Sequence, residues 1–94
     1  MEYIDVQWLH QNGEYPIRLV SELDAQRYEI RKLEFFRNGA VGYASKLHAT
    51  DGTDLGKLPV PPLAEINMSP EFNGATITAA VFESLWQSHA SGRV

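Results

Sequence analysis

The 94-residue sequence contains no cysteine, which excludes disulfide frameworks, thiolate metal centres and a cysteine nucleophile, and fits a reducing compartment such as the cytoplasm. No run of about 18 or more apolar residues occurs, so neither a membrane-spanning helix nor a membrane partner is expected. The opening MEYIDVQWLH lacks the basic segment, apolar stretch and small-residue cleavage site of a secretory leader. Basic residues are few, with eight Lys and Arg against twelve Asp and Glu for a formal net charge of −4. Nucleic-acid binding draws on clustered cations that release counterions from phosphates, so this balance counts against a nucleic-acid partner. It suits a basic protein better.

Recognisable catalytic and cofactor motifs are also missing. There is no G-x-S-x-G elbow, P-loop or dinucleotide fingerprint, and no cofactor is implied. The run RNGAVGYA has the wrong spacing for an RNA-stacking sheet. His10, His48 and His89 are too scattered for a metal motif; only His48 and Asp51 are near neighbours, and two ligands are not four. DGTDLG fails as a calcium loop because Leu55 takes the fifth position and Pro62 the twelfth. A carboxylate pair for acid–base work, Glu22 with Asp24 or Glu29, is conceivable, but nothing in the sequence selects it.

What is present is an ordinary globular composition, 44% apolar and 21% charged, in a length that makes one α+β domain over residues 1–94. Alternation of Ile4, Val6 and Trp8 with Tyr3, Asp5 and Gln7 predicts a first strand, and PIRLVSE predicts a second. RYEIRKLEFF predicts a long third strand whose phase slips, so a bulge or bend is expected near Arg31 to Glu34. Asn38-Gly39 predicts a type I′ hairpin turn into a fourth strand, AVGYAS. The 48–61 stretch reads as a loop, the longest irregular and most mobile piece, with a short edge strand over 53–55. PPLAEIN suits a short helix with Pro62 in its first turn; SPEFNG suits a second helical turn with Ser69 as N-cap and Gly74 as stop. The stripe Ile77, Val81, Phe82, Leu85, Trp86 and His89 predicts a terminal helix. The expected architecture is an antiparallel sheet of four to five strands, an N-terminal meander, with the C-terminal helix and one or two short helical turns packed on one face. The helix should cover Ile4, Val6, Trp8, Tyr28 and Ile30, with Trp8 and Trp86 in the core and Tyr3 and Tyr15 as surface anchors.

That arrangement would gather Arg18, Glu22, Arg27, Glu29 and Arg31, with Tyr3, Asp5 and Gln7, on the open face of the sheet. Such a ladder is either solvated cross-strand ion pairing or a recognition surface with bidentate arginine anchors.

The pattern SELD..R.E.RK.EFF..G..GYA from Ser21 to Ala44, followed by LG..PVPPL.EIN..PEF and a closing F...W helix, resembles a small bacterial family of uncharacterised single-domain proteins. The resemblance spans essentially the whole chain. It implies a compact α+β domain of bacterial origin and supplies no activity. One departure is the lack of an acidic residue near Val81 that would complete a capping box with Thr78.

Two functional readings follow. The first is a non-catalytic protein-binding domain, an immunity or antitoxin-like protein that neutralises a basic toxin through Glu14, Glu22, Asp24, Asp51 and Asp54. The second is a small anionic-ligand-binding or catalytic domain that uses Arg18, Arg27, Glu29 and Arg31. The chain is expected to be a monomer or a homodimer. Edge-strand dimerisation ranks below both readings because Pro16 and the proline-rich loop blunt the edges.

Overall fold

A computed structural model describes residues 1–90. Its elements are β1 (Glu2–Trp8), β2 (Arg18–Leu23), β3 (Glu29–Phe35), β4 (Val41–Ala44), α1 (Leu63–Ile66), β5 (Phe72–Thr76) and α2 (Ala79–His89). The five strands form one sheet in the order β4-β3-β2-β1-β5, every neighbouring pair antiparallel. The fold is the expected α+β sheet with a meander, a short helix and a terminal helix. No helix among the described residues is long and apolar enough to cross a membrane.

The register decides which side chains share a face. Tyr3 pairs with Glu22 and Glu22 with Arg31; Asp5 pairs with Val20, Val20 with Leu33, and Leu33 with Tyr43. All of these lie on one face, and α2 covers it: Phe82, Trp86 and Ala90 pack on Val20 and Leu33. Ile4, Val6 and Leu23 lie on the other face, under Val60, Leu63, Ile66 and Phe72. The terminal helix therefore lies on the face opposite to the expected one. The reason is visible in β2, where Val20, Ser21, Glu22 and Leu23 are all buried. A strand covered on both sides loses the alternation that marks an open face, so the charged parity of β1 gave a misleading orientation.

The phase slip in β3 is real but lies earlier than expected. Arg31 pairs with Glu22 while Glu29 pairs with Leu23, leaving Ile30 as the extra residue of a bulge. Arg31, Leu33 and Phe35 consequently face α2, and Glu29, Lys32 and Glu34 face the other way. The strand itself begins at Glu29, so Arg27 and Tyr28 are outside it.

The expected loop over 48–61 forms no strand at 53–55, and it is fastened to the second face of the sheet. Thr53 is 1% exposed and donates to Glu34 Oε1 at 2.9 Å, while Gly42 leaves room for it: a Cβ there would overlap Thr53 Oγ1. Gly56 N–H donates to Glu29 at 2.6 Å. SPEFNG departs from the helical expectation. Ser69 closes a turn, accepting from the Phe72 N–H at 3.2 Å, and the chain then continues as β5 against β1. Gly74 is the focus of that strand, because its missing Cβ admits Leu63 and Val6.

Both sheet edges carry side-chain plugs. The Asn67 amide takes both outward backbone groups of Gly74, accepting from its N–H at 2.7 Å and donating to its carbonyl at 3.0 Å. On β4, the Tyr43 N–H donates to Thr50 Oγ1 at 2.9 Å and the Thr50 N–H donates to the Tyr43 carbonyl at 2.9 Å. Edges occupied in this way offer a second copy few free groups.

Two hairpin turns share one hydrogen-bond pattern. Gly39 N–H donates to Phe36 O and Phe36 N–H to Ala40 O; Arg27 N–H donates to Asp24 O and Asp24 N–H to Tyr28 O. Each is a tight turn followed by one left-handed residue, Gly39 at φ 93° and Arg27 at φ 69°. The Asn-Gly turn is therefore a three-residue loop with a left-handed glycine, and Asn38 instead accepts from the Ala40 N–H at 2.9 Å. Arg27 occupies a position that favours glycine. Its side chain compensates: Nε donates to Val60 O at 2.8 Å, Nη2 to Pro61 O at 2.9 Å, and Nη1 pairs with Glu2. Arg27→Ala removes this clasp and keeps the strain, whereas Arg27→Gly removes both. Urea denaturation should find both variants destabilised and the glycine variant more stable than the alanine by about 1 kcal/mol.

Candidate functional site

The bulge at Ile30 turns Arg31 beneath α2, and this creates a connected polar cluster of Tyr3, Glu22, Arg31 and Glu83. Thr78 caps the helix, accepting from the Val81 N–H at 3.1 Å, and the helix then brings Phe82 and Glu83 to Arg31. Arg31 Nε donates to Glu22 Oε1 at 2.6 Å, Nη1 donates to Glu83 Oε1 at 3.3 Å, and Nη2 pairs with Glu83 Oε2. Its guanidinium carbon lies 4.9 Å from the Phe82 ring centroid and 5.1 Å from that of Trp86, a cation–π contact with two rings that stack on each other. Glu22 accepts a second hydrogen bond, from the Tyr3 hydroxyl at 3.1 Å.

Titration follows from these contacts. Hydrogen bonds to Glu83 raise the Arg31 pKa above its ordinary value, with Glu22 adding to the effect against the cost of burial. The same hydrogen bonds hold the Glu83 carboxyl below its usual range. Burial pushes the Tyr3 phenol up, and the hydrogen bond to Glu22 adds to it.

The remaining residues of the charged ladder lie elsewhere. Arg18 grips Asp5 with two hydrogen bonds, at 3.0 and 2.7 Å, and stacks on Phe35; the Asp5 pair raises its pKa. Arg27 is the clasp at the 24–28 turn. Glu29 is on the opposite face from Arg31, bound to the Gly56 N–H and to Lys32 at 3.2 Å. Arg18, Arg27, Glu29 and Arg31 are thus divided between two faces and a turn, each already held by groups of the same chain.

The acidic candidates also separate. Glu22 is 7% exposed, beneath α2. Asp24 accepts from the backbone N–H groups of Gln26 and Tyr28, each at 2.9 Å. Glu14 is exposed in the β1–β2 connection, at the other end of β2 from Asp24. Asp51 and Asp54 stand close together on either side of the anchored Thr53, both exposed, and neither makes a hydrogen bond or ion pair among the described residues.

Sequence reasoning missed a groove between the C-terminal end of α2 and β4, of about 530 Å³, lined by Ile30, Tyr43, Trp86 and the 45–48 turn. No pattern in the sequence marks it, because its walls meet only once the helix crosses to the Arg31 face. Trp8 and Tyr3 also differ from expectation. Trp8 is half-buried, stacked on Tyr15 and Phe72, and donates to Glu71 at 3.1 Å. Tyr3 lies partly beneath α2 with its ring 5.4 Å from Phe82. Among the described residues no three His, Asp or Glu side chains converge to hold a metal ion.

A family model described as a domain of unknown function, DUF6881, matches residues 2–91. The chain belongs to this family. The DUF6881 match takes in all seven elements, including the Arg31 cluster, the Arg27 turn and the segment carrying Asp51 and Asp54. No curated protein and no solved structure matches the chain.

Arg31→Met leaves Glu22 buried without its cation, and should cost about 3 kcal/mol or more in chemical denaturation. Adding Glu22→Leu should recover part of that loss. For Glu83, whose folded pKa is depressed, the stabilising contribution is present above the unfolded-state pKa and is lost as pH falls through the folded value. Glu83→Gln should therefore be less stable at neutral pH, with a shallower loss of stability on acidification below about pH 5, read from melting temperatures across a pH series.

Proposed function

We propose that this domain is a non-catalytic protein-binding module that docks a basic protein through the segment carrying Asp51 and Asp54, as an immunity or antitoxin-like protein neutralising a basic toxin in the cytoplasm. The observation that carries this reading is the pair of exposed aspartates, Asp51 and Asp54, that no cation of the described residues takes up. Asp5, Glu2, Glu22 and Glu83, and Glu29 and Glu34 take up Arg18, Arg27, Arg31 and Lys32 in turn. The carboxylates left open to a partner include Asp51, Asp54, Glu14 and Glu65. The chain has a net charge of −4, and the six carboxylates bound to these four cations do not include Asp51 or Asp54, so both add to a negative field at the surface. Such a field steers a basic partner and speeds association.

Position supports the reading as well. Thr53 is locked to Glu34 between the two aspartates, and Arg27 fastens the far end of the segment at Val60 and Pro61. A segment fixed at both places loses little freedom on binding, which favours affinity. A small anion at Arg27 or Arg31 would instead have to displace Glu2 or Glu83.

The test is capture of a stoichiometric basic protein from the native host, followed by affinity measurements on the purified pair. Asp51→Lys with Asp54→Lys should weaken the complex by about tenfold or more, while the fold persists and the wild-type affinity falls as salt rises. Affinity indifferent to both the substitutions and the salt would overturn the reading.

A further inference from the structure

The groove beside Trp86 has an unusual balance of groups. Its apolar surface comes from Ile30, the residue extruded by the β3 bulge, with Tyr43, Trp86 and Leu47. Leu47 is 86% exposed. Four of the residues along it carry polar side-chain groups able to donate: Tyr43, Trp86, Lys46 and His48. None of these four side chains makes a hydrogen bond or an ion pair among the described residues. Ser45, also on the rim, is occupied in its own turn, accepting from the Leu47 and His48 N–H groups at 3.3 Å each.

Trp86 strengthens the point. The residue is 9% exposed, yet no buried polar side-chain atom of the described residues lacks a partner. Its indole N–H therefore keeps some exposure to solvent, and Trp86 lines the groove. Among the described residues no carboxylate lines the groove, although the chain carries twelve Asp and Glu. Arg31 lies at its base, with Glu22 and Glu83 committed to it.

Unused donors, the Lys46 cation among them, beside an apolar wall with no carboxylate among the described lining residues define what fits: an apolar body that brings its own acceptor oxygens and negative charge. The volume of about 530 Å³ is in the range of small-molecule sites. We infer that this groove binds a small organic carboxylate with an aromatic or short aliphatic body, the carboxylate meeting Lys46 and His48 and the body lying on Ile30, Tyr43 and Trp86. This site is separate from the acidic segment and stands whether or not that segment docks a protein.

The experiment is an amide and indole NMR titration with 3-phenylpropionate and octanoate, each paired with its neutral alcohol. Saturable shifts are expected at the Trp86 indole N–H and at the amides of Ile30, Tyr43, Leu47 and His48, with the Trp8 indole unmoved. Each carboxylate should bind about tenfold more tightly than its alcohol, since a charge-assisted contact is lost in the latter. Lys46→Glu with His48→Glu, two exposed positions, should abolish that preference while the remaining spectrum stays native. Absence of saturation by about 10 mM ligand, equal affinity for acid and alcohol, or shifts centred on Trp8 would each overturn the assignment.

Discussion

Arg31 lies where the charge pattern of this sheet meets its apolar core, and the position of the terminal helix depends on how that charge is held. Glu22 binds it from the neighbouring strand and Glu83 from the helix. Phe82 and Trp86 lie close to its guanidinium. A guanidinium under a helix is costly unless it is paired and hydrogen-bonded. Here the two carboxylates supply the pairing, the rings supply a face for the planar cation, and Tyr3 satisfies the second oxygen of Glu22. The groove beside Trp86 is a by-product of the same packing, because the bulge that aims Arg31 at the helix also extrudes Ile30.

The second face is organised by a different device. Val60 of the irregular segment, the short helix α1 and Phe72 of β5, rather than a long helix, cover Ile4, Val6 and Leu23. Irregular backbone over a core needs many specific anchors, since it cannot satisfy its own hydrogen bonds. Arg27, Thr53 and Gly56 provide them at three points. The left-handed backbone of Arg27 is accordingly the conformational cost of placing a long cationic side chain where the segment must be clasped.

Much of this was legible in the chain. Period-two alternation located the first strand, Asn38-Gly39 marked a hairpin, and Thr78 with the apolar stripe after it marked the last helix. The faces were not legible. β2 is buried on both sides, so its sequence lacks the contrast that says which side the helix takes. SPEFNG carries the local signature of a helical turn, but an unpaired edge of β1 and the small Gly74 draw it into the sheet. Nor could Arg27 be distinguished from a strand residue, because the loop that it clasps lies 33 residues further on. Of the acidic set, Asp51 and Asp54 are exposed, whereas Glu22 is buried beneath α2, a difference that the sequence did not mark. The groove donors gave no signal, since Tyr43, Lys46, His48 and Trp86 become neighbours only through the tertiary fold.

The account rests on Arg31 coupling the helix to the sheet through both carboxylates. Double-mutant cycles on Arg31 with Glu83, the link from sheet to helix, and on Arg31 with Glu22, read from urea denaturation at neutral pH, test this most directly. The predicted coupling energy is about 1 kcal/mol or more, as for residues of one buried network. Additivity within about 0.3 kcal/mol would contradict it, and would reduce the charged ladder to independent surface groups.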